Sequence, residues 1–146
     1  MSQFEEILKR SVLGLGDSYR GAEADLYEET AAASESVKNI TEGLTHLILQ
    51  RSEDDAESTW INLVVATQGD FYEIATFLLS PQGYPIKVGA SQQTMSIMSK
   101  VEARLVNRDD IREYFTTLAS NNNSRLVLRI AYLLRTRQTG GQEVPG

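Results

Sequence analysis

Residues 59–89 read TWINLVVATQGDFYEIATFLLSPQGYPIKVG, and the fold turns on this stretch. Thr59 to Thr67 alternates, placing Ile61, Leu63 and Val65 on one face and Trp60 on the other, as a half-buried strand does. Gln68-Gly69-Asp70 reads as a turn, and Phe71 to Leu79 as the next strand. Ser80-Pro81-Gln82-Gly83 has proline second and glycine fourth, the pattern of a type I turn, and Ile86 to Gly89 follows as a short strand. Upstream, Leu44 to Arg51 is rich in leucine and isoleucine, and the polar run from Ser52 to Ser58 joins it to Thr59 as a hairpin connection. Strands joined by such short links pair as antiparallel neighbours, because parallel pairs need long crossovers. The spacing predicts a four-stranded antiparallel β-meander.

Before the meander, residues 3–42 carry a helical period. Phe4, Leu8, Val12, Leu15, Tyr19, Ala22, Leu26, Ala33, Val37 and Ile40 recur at steps of three and four. Unbroken, such a helix is about 60 Å long at ~1.5 Å per residue, against a globule diameter near ~40 Å for a chain of this length. Either it breaks, or the protruding part packs on another subunit. Gly14, Gly16 and Gly21 each cost about 1 kcal/mol relative to alanine, and Asp17 or Ser18 is available as a cap for a restart. The expectation is a short helix near residues 3–13 and a longer one near 18–42. Gly14-Leu15-Gly16 is no phosphate loop, since Tyr19 stands where the third glycine would be and no strand precedes it.

Helices resume after the meander. Ser91 is placed to cap a helix through Met95, Met98, Val101 and Leu105. Asn107 with Asp110 resembles a capping arrangement opening a helix with Ile111, Phe115 and Leu118. Ser124 caps the most apolar one, through Leu126, Val127, Ile130, Leu133 and Leu134. Helices, then strands, then helices describe an α+β fold with the C-terminal helices on the sheet. Residues 1–137 form one domain, and 138–146 read as a flexible polar tail.

Composition narrows the chemistry. The chain has 146 residues and no cysteine, which removes disulfides, thiolate zinc sites and a cysteine nucleophile. His46 is the one histidine. Acidic residues occupy the N-terminus where a signal peptide carries positive charge, no apolar run approaches the ~20 residues of a membrane span, and no lipidation signal occurs. A cytoplasmic protein without a membrane association is the expectation.

The net charge of -6 is uneven: residues 1–85 carry five Lys/Arg against fifteen Asp/Glu, and residues 86–146 nine against five. Seven of those nine are arginine. Arg108 and Arg112, and likewise Arg125 and Arg129, stand four apart on one helix face, and their planar forks suit phosphate or carboxylate. One reading is pairing with the protein's own acids, on the N-terminal helix or at Asp109, Asp110 and Glu113. The alternative is a phosphorylated ligand or nucleic acid held by these four arginines, although the acidic balance disfavours a duplex.

Other constellations are weak. Glu53, Asp54, Asp55 and Glu57 lack calcium-loop spacing. No Gly-x-Ser-x-Gly elbow or Walker lysine occurs, so a small hydrolase would have to recruit His46 or scattered carboxylates. No cofactor or metal site is predicted. Too few helices are available to cover both sheet faces, which leaves Trp60 as a contact residue, with Glu28 and Glu35 on the acidic helix as further partner contacts. The residues thus predict a non-catalytic interaction module of chaperone-like, inhibitor or adaptor type, which self-associates as a homodimer and binds a protein partner.

Overall fold

The computed structural model describes residues 2–52, 58–90 and 102–142, with side chains through 137. One helix, α1, runs unbroken from Gln3 to Ile40 over 38 residues, about 57 Å at ~1.5 Å per residue. The expected break at Gly14–Gly21 does not occur. Each glycine carries a local penalty, but a break would strip the last carbonyls of one helix and the first amides of the next of their partners. Good helix formers on both sides and the Asp17–Arg20 ion pair hold the turn instead. At the N-terminus, Ser2 Oγ accepts from the Glu5 amide at 3.1 Å, with Glu5 and Glu6 in the first turn, where the helix dipole favours acids. The C-terminus closes with Glu42 in the left-handed region, φ 52. Amides of Gly43 and Glu42 donate back to Lys38 and Asn39 at 2.8 and 3.4 Å, a Schellman ending.

The sheet has five strands, not four, in the order β1 to β5: His46–Arg51, Thr59–Thr67, Asp70–Ser80, Gly83–Gly89 and Ala103–Leu105. All neighbours are antiparallel. The fifth strand falls where the sequence favours a helix. Ile86 pairs with Leu105 and Val88 with Ala103, so β4's open edge supplies hydrogen bonds that outweigh a weak local preference. The remainder of that expected helix, residues 91–101, and the acidic loop 53–57 lie outside the described residues. Register puts Leu47, Ile61, Leu63, Val65, Phe77, Leu79, Ile86, Val88 and Leu105 on one face. A shift between Leu63 and Val64 leaves Ile74 as an extra residue in β3, buried in the same core.

Two further helices, α2 (Arg108–Ser120) and α3 (Arg125–Gln142), complete the fold. Asn107 Oδ1 accepts from the Asp110 amide at 2.9 Å, and Asp110 Oδ2 from the Val106 amide at 2.9 Å, the reciprocal cap anticipated from the sequence. Ser124 Oγ caps α3 through the Val127 amide at 3.1 Å. α3 runs on to Gln142, so the expected tail from residue 138 is helical for its first turn. Leu26 and Val37 of α1, Ile111 and Phe115 of α2, and Leu126 and Ile130 of α3 join the sheet in one core. The architecture is α+β: a long N-terminal helix, a five-stranded antiparallel meander and two C-terminal helices packed against it. Among the described residues, no helix is long and apolar enough to cross a membrane.

The β3–β4 turn fixes where α1 leaves the globule. Gly83 has φ 88, and a Cβ there would stand 2.5 Å from Ala22 Cβ and 3.0 Å from the Ser18 carbonyl oxygen. Glycine is required on both counts. Tyr19 closes the same contact by donating to Thr59 Oγ1 at 2.7 Å. N-terminal to this anchor, residues 3–15 are exposed throughout.

Candidate protein-interaction surfaces

Arg108 and Arg112 project from the first turns of α2 onto α1. Arg108 Nε donates to Glu29 Oε2 at 2.8 Å, and Arg112 donates to Glu29 Oε1 and Oε2 at 3.1 and 3.2 Å. Arg108 also reaches Glu28 at 2.7 Å and Asp25 at 3.5 Å. Glu29 is only 8% exposed, and a buried carboxylate needs such compensation. The guanidinium of Arg112, and then that of Arg108, holds its carboxyl below the usual range. Tyr84 extends the cluster to β4 by donating to Asp25 at 2.8 Å. Burial, followed by the Asp25 hydrogen bond and charge, pushes its hydroxyl pKa up. The cluster is an electrostatic clasp joining α1, α2 and β4.

Arg125 and Arg129 lie elsewhere. Arg129 pairs with Asp70 and stacks over Tyr72, 4.5 Å from the ring centroid. Arg125 lies 5.5 Å from the same ring and donates to the Ala90 carbonyl at 3.5 Å. The four arginines therefore divide into two separate groups, each engaged by the chain's own groups. His46, half-buried at the start of β1, lines a cleft of about 450 Å³ with Glu42 and Arg137. Among the described residues no serine lines that cleft, and no cluster of three or more His, Asp or Glu is placed to hold a metal.

The structure corrects the expectation that Trp60 stands open. Its side chain does fall on the face opposite Ile61, Leu63 and Val65, beside Leu78. Yet it is 5% exposed in the single chain, and its neighbours Val64, Ala66 and Thr76 are buried too. An open indole would leave on the order of 200 Å² of aromatic surface in water, and the chain buries it instead. The argument for a partner on this face therefore fails. Glu28 and Glu35 are exposed on α1, Glu28 in its pair with Arg108 and Glu35 with Lys38 at 3.2 Å.

Apolar surface does lie open at two other places. Along the protruding half of α1, Phe4, Ile7, Leu8, Val12 and Leu15 form a stripe, with Phe4 74% exposed. Positions 4, 8, 15, 22 and 26 fall on one side of the helix, so the exposed stripe continues the seam that buries Ala22 and Leu26 on the body. The second place is an open groove of about 690 Å³ between the C-terminal half of α1 and helices α2 and α3. Ala33, Val37, Ile40, Phe115, Ile130 and Leu134 line it. The sequence names Phe4, Leu8, Val12 and Leu15 as helix period, though not Ile7, and does not disclose their exposure. The groove exists only once three distant helices meet.

Comparison of the chain with protein-family models, with curated proteins and with solved structures finds no match.

Proposed function

We propose that the protein is a non-catalytic interaction module that self-associates as a homodimer and serves a protein partner in a chaperone-like, inhibitor or adaptor role. One observation carries this reading: the N-terminal half of α1 stands clear of the body with an unbroken apolar stripe exposed. A solvated helix has no need of Phe4, Ile7, Leu8, Val12 and Leu15 on one side. Fully burying such side chains is worth roughly 1.5–3 kcal/mol each, which makes an uncovered stripe of this length costly. Among the described residues none covers residues 3–15, and α1 is anchored at Ser18–Ala22 by the Gly83 turn, so we assign the cover to a second copy.

The test is size-exclusion chromatography with light scattering on the full chain and on a Leu8→Glu, Val12→Glu double variant. The expected result is a wild-type particle of twice the 16.3 kDa chain mass and a folded, monomeric variant. Both positions are exposed in the single chain, so the fold does not depend on them. A wild-type chain that stays monomeric across the concentration range overturns the reading.

A further inference from the structure

We infer that the exposed N-terminal halves of two α1 helices, one from each of two copies of this chain, lie side by side and antiparallel, with a two-fold axis between Lys9 and Arg10. The inference rests on the self-association proposed above and adds what covers the stripe: the same stripe of the second copy. Six positions form the seam, 4, 7, 8, 11, 12 and 15, all exposed and all but Ser11 apolar. Reversing the helix about the Lys9–Arg10 midpoint returns this set to itself. Phe4 exchanges with Leu15, Ile7 with Val12 and Leu8 with Ser11. The steps of four, three and four through Phe4, Leu8, Ser11 and Leu15 are those of a coiled-coil seam. In the antiparallel pair each of these four meets its exchange partner at one height. Ile7 flanks the seam on one side and Val12 on the other, each near its own counterpart across the axis. Glu6, Lys9, Arg10, Leu13 and Asp17 fall on the far side of the helix and face water.

The Gly83 anchor sets the register. Residues 3–15 are exposed throughout, and the Gly83 turn meets α1 at Ser18, Tyr19 and Ala22. Pairing Phe4 with Leu15 brings Ser2 of each copy level with Asp17 of the other, so the overlap uses the whole free length and stops short of that turn. One heptad further, Phe4 would fall against Ala22, where the turn already sits. One heptad back, Val12 and Leu15 would pass the neighbour's first residue and stay in water. This half of the helix is neutral, Glu5 and Glu6 balancing Lys9 and Arg10. Nothing therefore draws the stripe to an anionic membrane or nucleic acid, and two copies meet without net repulsion. At exposures of 41% to 74%, the pair's ten apolar side chains offer on the order of 1,000 Å², taking ~200 Å² for a large side chain. That reaches the ~1,000 Å² a specific interface requires.

The chain has no cysteine, so introduced thiols report without background. The experiment compares Phe4→Cys, Leu15→Cys and the double variant under mild oxidation, at a concentration where light scattering finds the wild type dimeric. Within one helix positions 4 and 15 are ~17 Å apart. The antiparallel pair holds the two copies of either position equally far apart, beyond any disulfide. Only position 4 of one copy and position 15 of the other come level. The expected result is a covalent dimer from the double variant and none from either single variant. A link in a single variant, the mark of a parallel pair, or no link in the double variant overturns the antiparallel pairing and leaves self-association standing. A wild-type chain that is monomeric at every concentration overturns both and leaves the stripe to a partner of different sequence.

Discussion

Replacing Gly83 by alanine tests how α1 is held to the sheet. At φ 88 an alanine enters the left-handed region, at a cost of about 1–2 kcal/mol. Its Cβ would also meet Ala22 Cβ at 2.5 Å, the Ser18 oxygen at 3.0 Å and Tyr19 Cα at 3.1 Å. Two of these neighbours are helix backbone, so relief requires α1 to lift, loosening Ala22, Leu26 and the Tyr19–Thr59 hydrogen bond. Overpacking of this kind costs about 1–3 kcal/mol. Together the two effects amount to about 2–5 kcal/mol. At ~2–4 °C per kcal/mol for a domain of this size, the midpoint should fall by roughly 5–20 °C in calorimetry at fixed protein concentration. In an Ala22→Gly background the shortest contact disappears while the φ cost and the backbone contacts remain. The penalty should therefore shrink by more than the ~0.5 kcal/mol expected of independent sites. A Gly83→Ala chain that melts with wild type, or an equal penalty in both backgrounds, would refute the account of the anchor.

Two further variants probe the clasp and the helix ending. Glu29→Gln removes the shared carboxylate of Arg108 and Arg112, and should lower stability at pH 7 by about 1–3 kcal/mol, read from urea midpoints. Because Glu29 titrates below its ordinary value of 4.5, its contribution is complete above that value and is lost as pH falls through the folded pKa. The gap between variant and wild type should thus narrow as the pH is taken progressively below 4.5, and a gap independent of pH would contradict the clasp. Glu42→Gly relieves a left-handed side-chain residue at the Schellman position and gives up only a 4.0 Å contact with Arg137. It should add about 0.5–1 kcal/mol to the urea unfolding free energy, and a loss would contradict the cap assignment.

Strands β1 to β4 are legible in the sequence because alternation and turn residues act locally and agree. Thr59–Thr67 is bounded as expected, and the Asn107 and Ser124 caps form at the residues named for them. What escapes local reading depends on partners far along the chain. The glycines of α1 argue for a break only while each is priced alone; helix cooperativity on both sides decides otherwise. Ala103-Arg104-Leu105 becomes a strand through the edge of β4, which no window around residue 103 contains. Trp60 is correctly assigned to its face, yet its burial follows from tertiary cover. Among the candidate contacts, Arg108 and Arg112 fit both a ligand and the chain's own acids, and Glu29, some eighty residues away, takes them. The apolar stripe was in view as a period. Its exposure follows from where the Gly83 turn releases the helix.

The most direct measurement of the central claim is amide hydrogen exchange along α1 as a function of protein concentration. If the N-terminal half is covered by a second copy, amides within residues 3–18 gain protection as concentration rises, while those of residues 22–40 stay protected throughout. Fast exchange in residues 3–18 at every concentration, beside a protected 22–40, would show the stripe facing water and contradict the account.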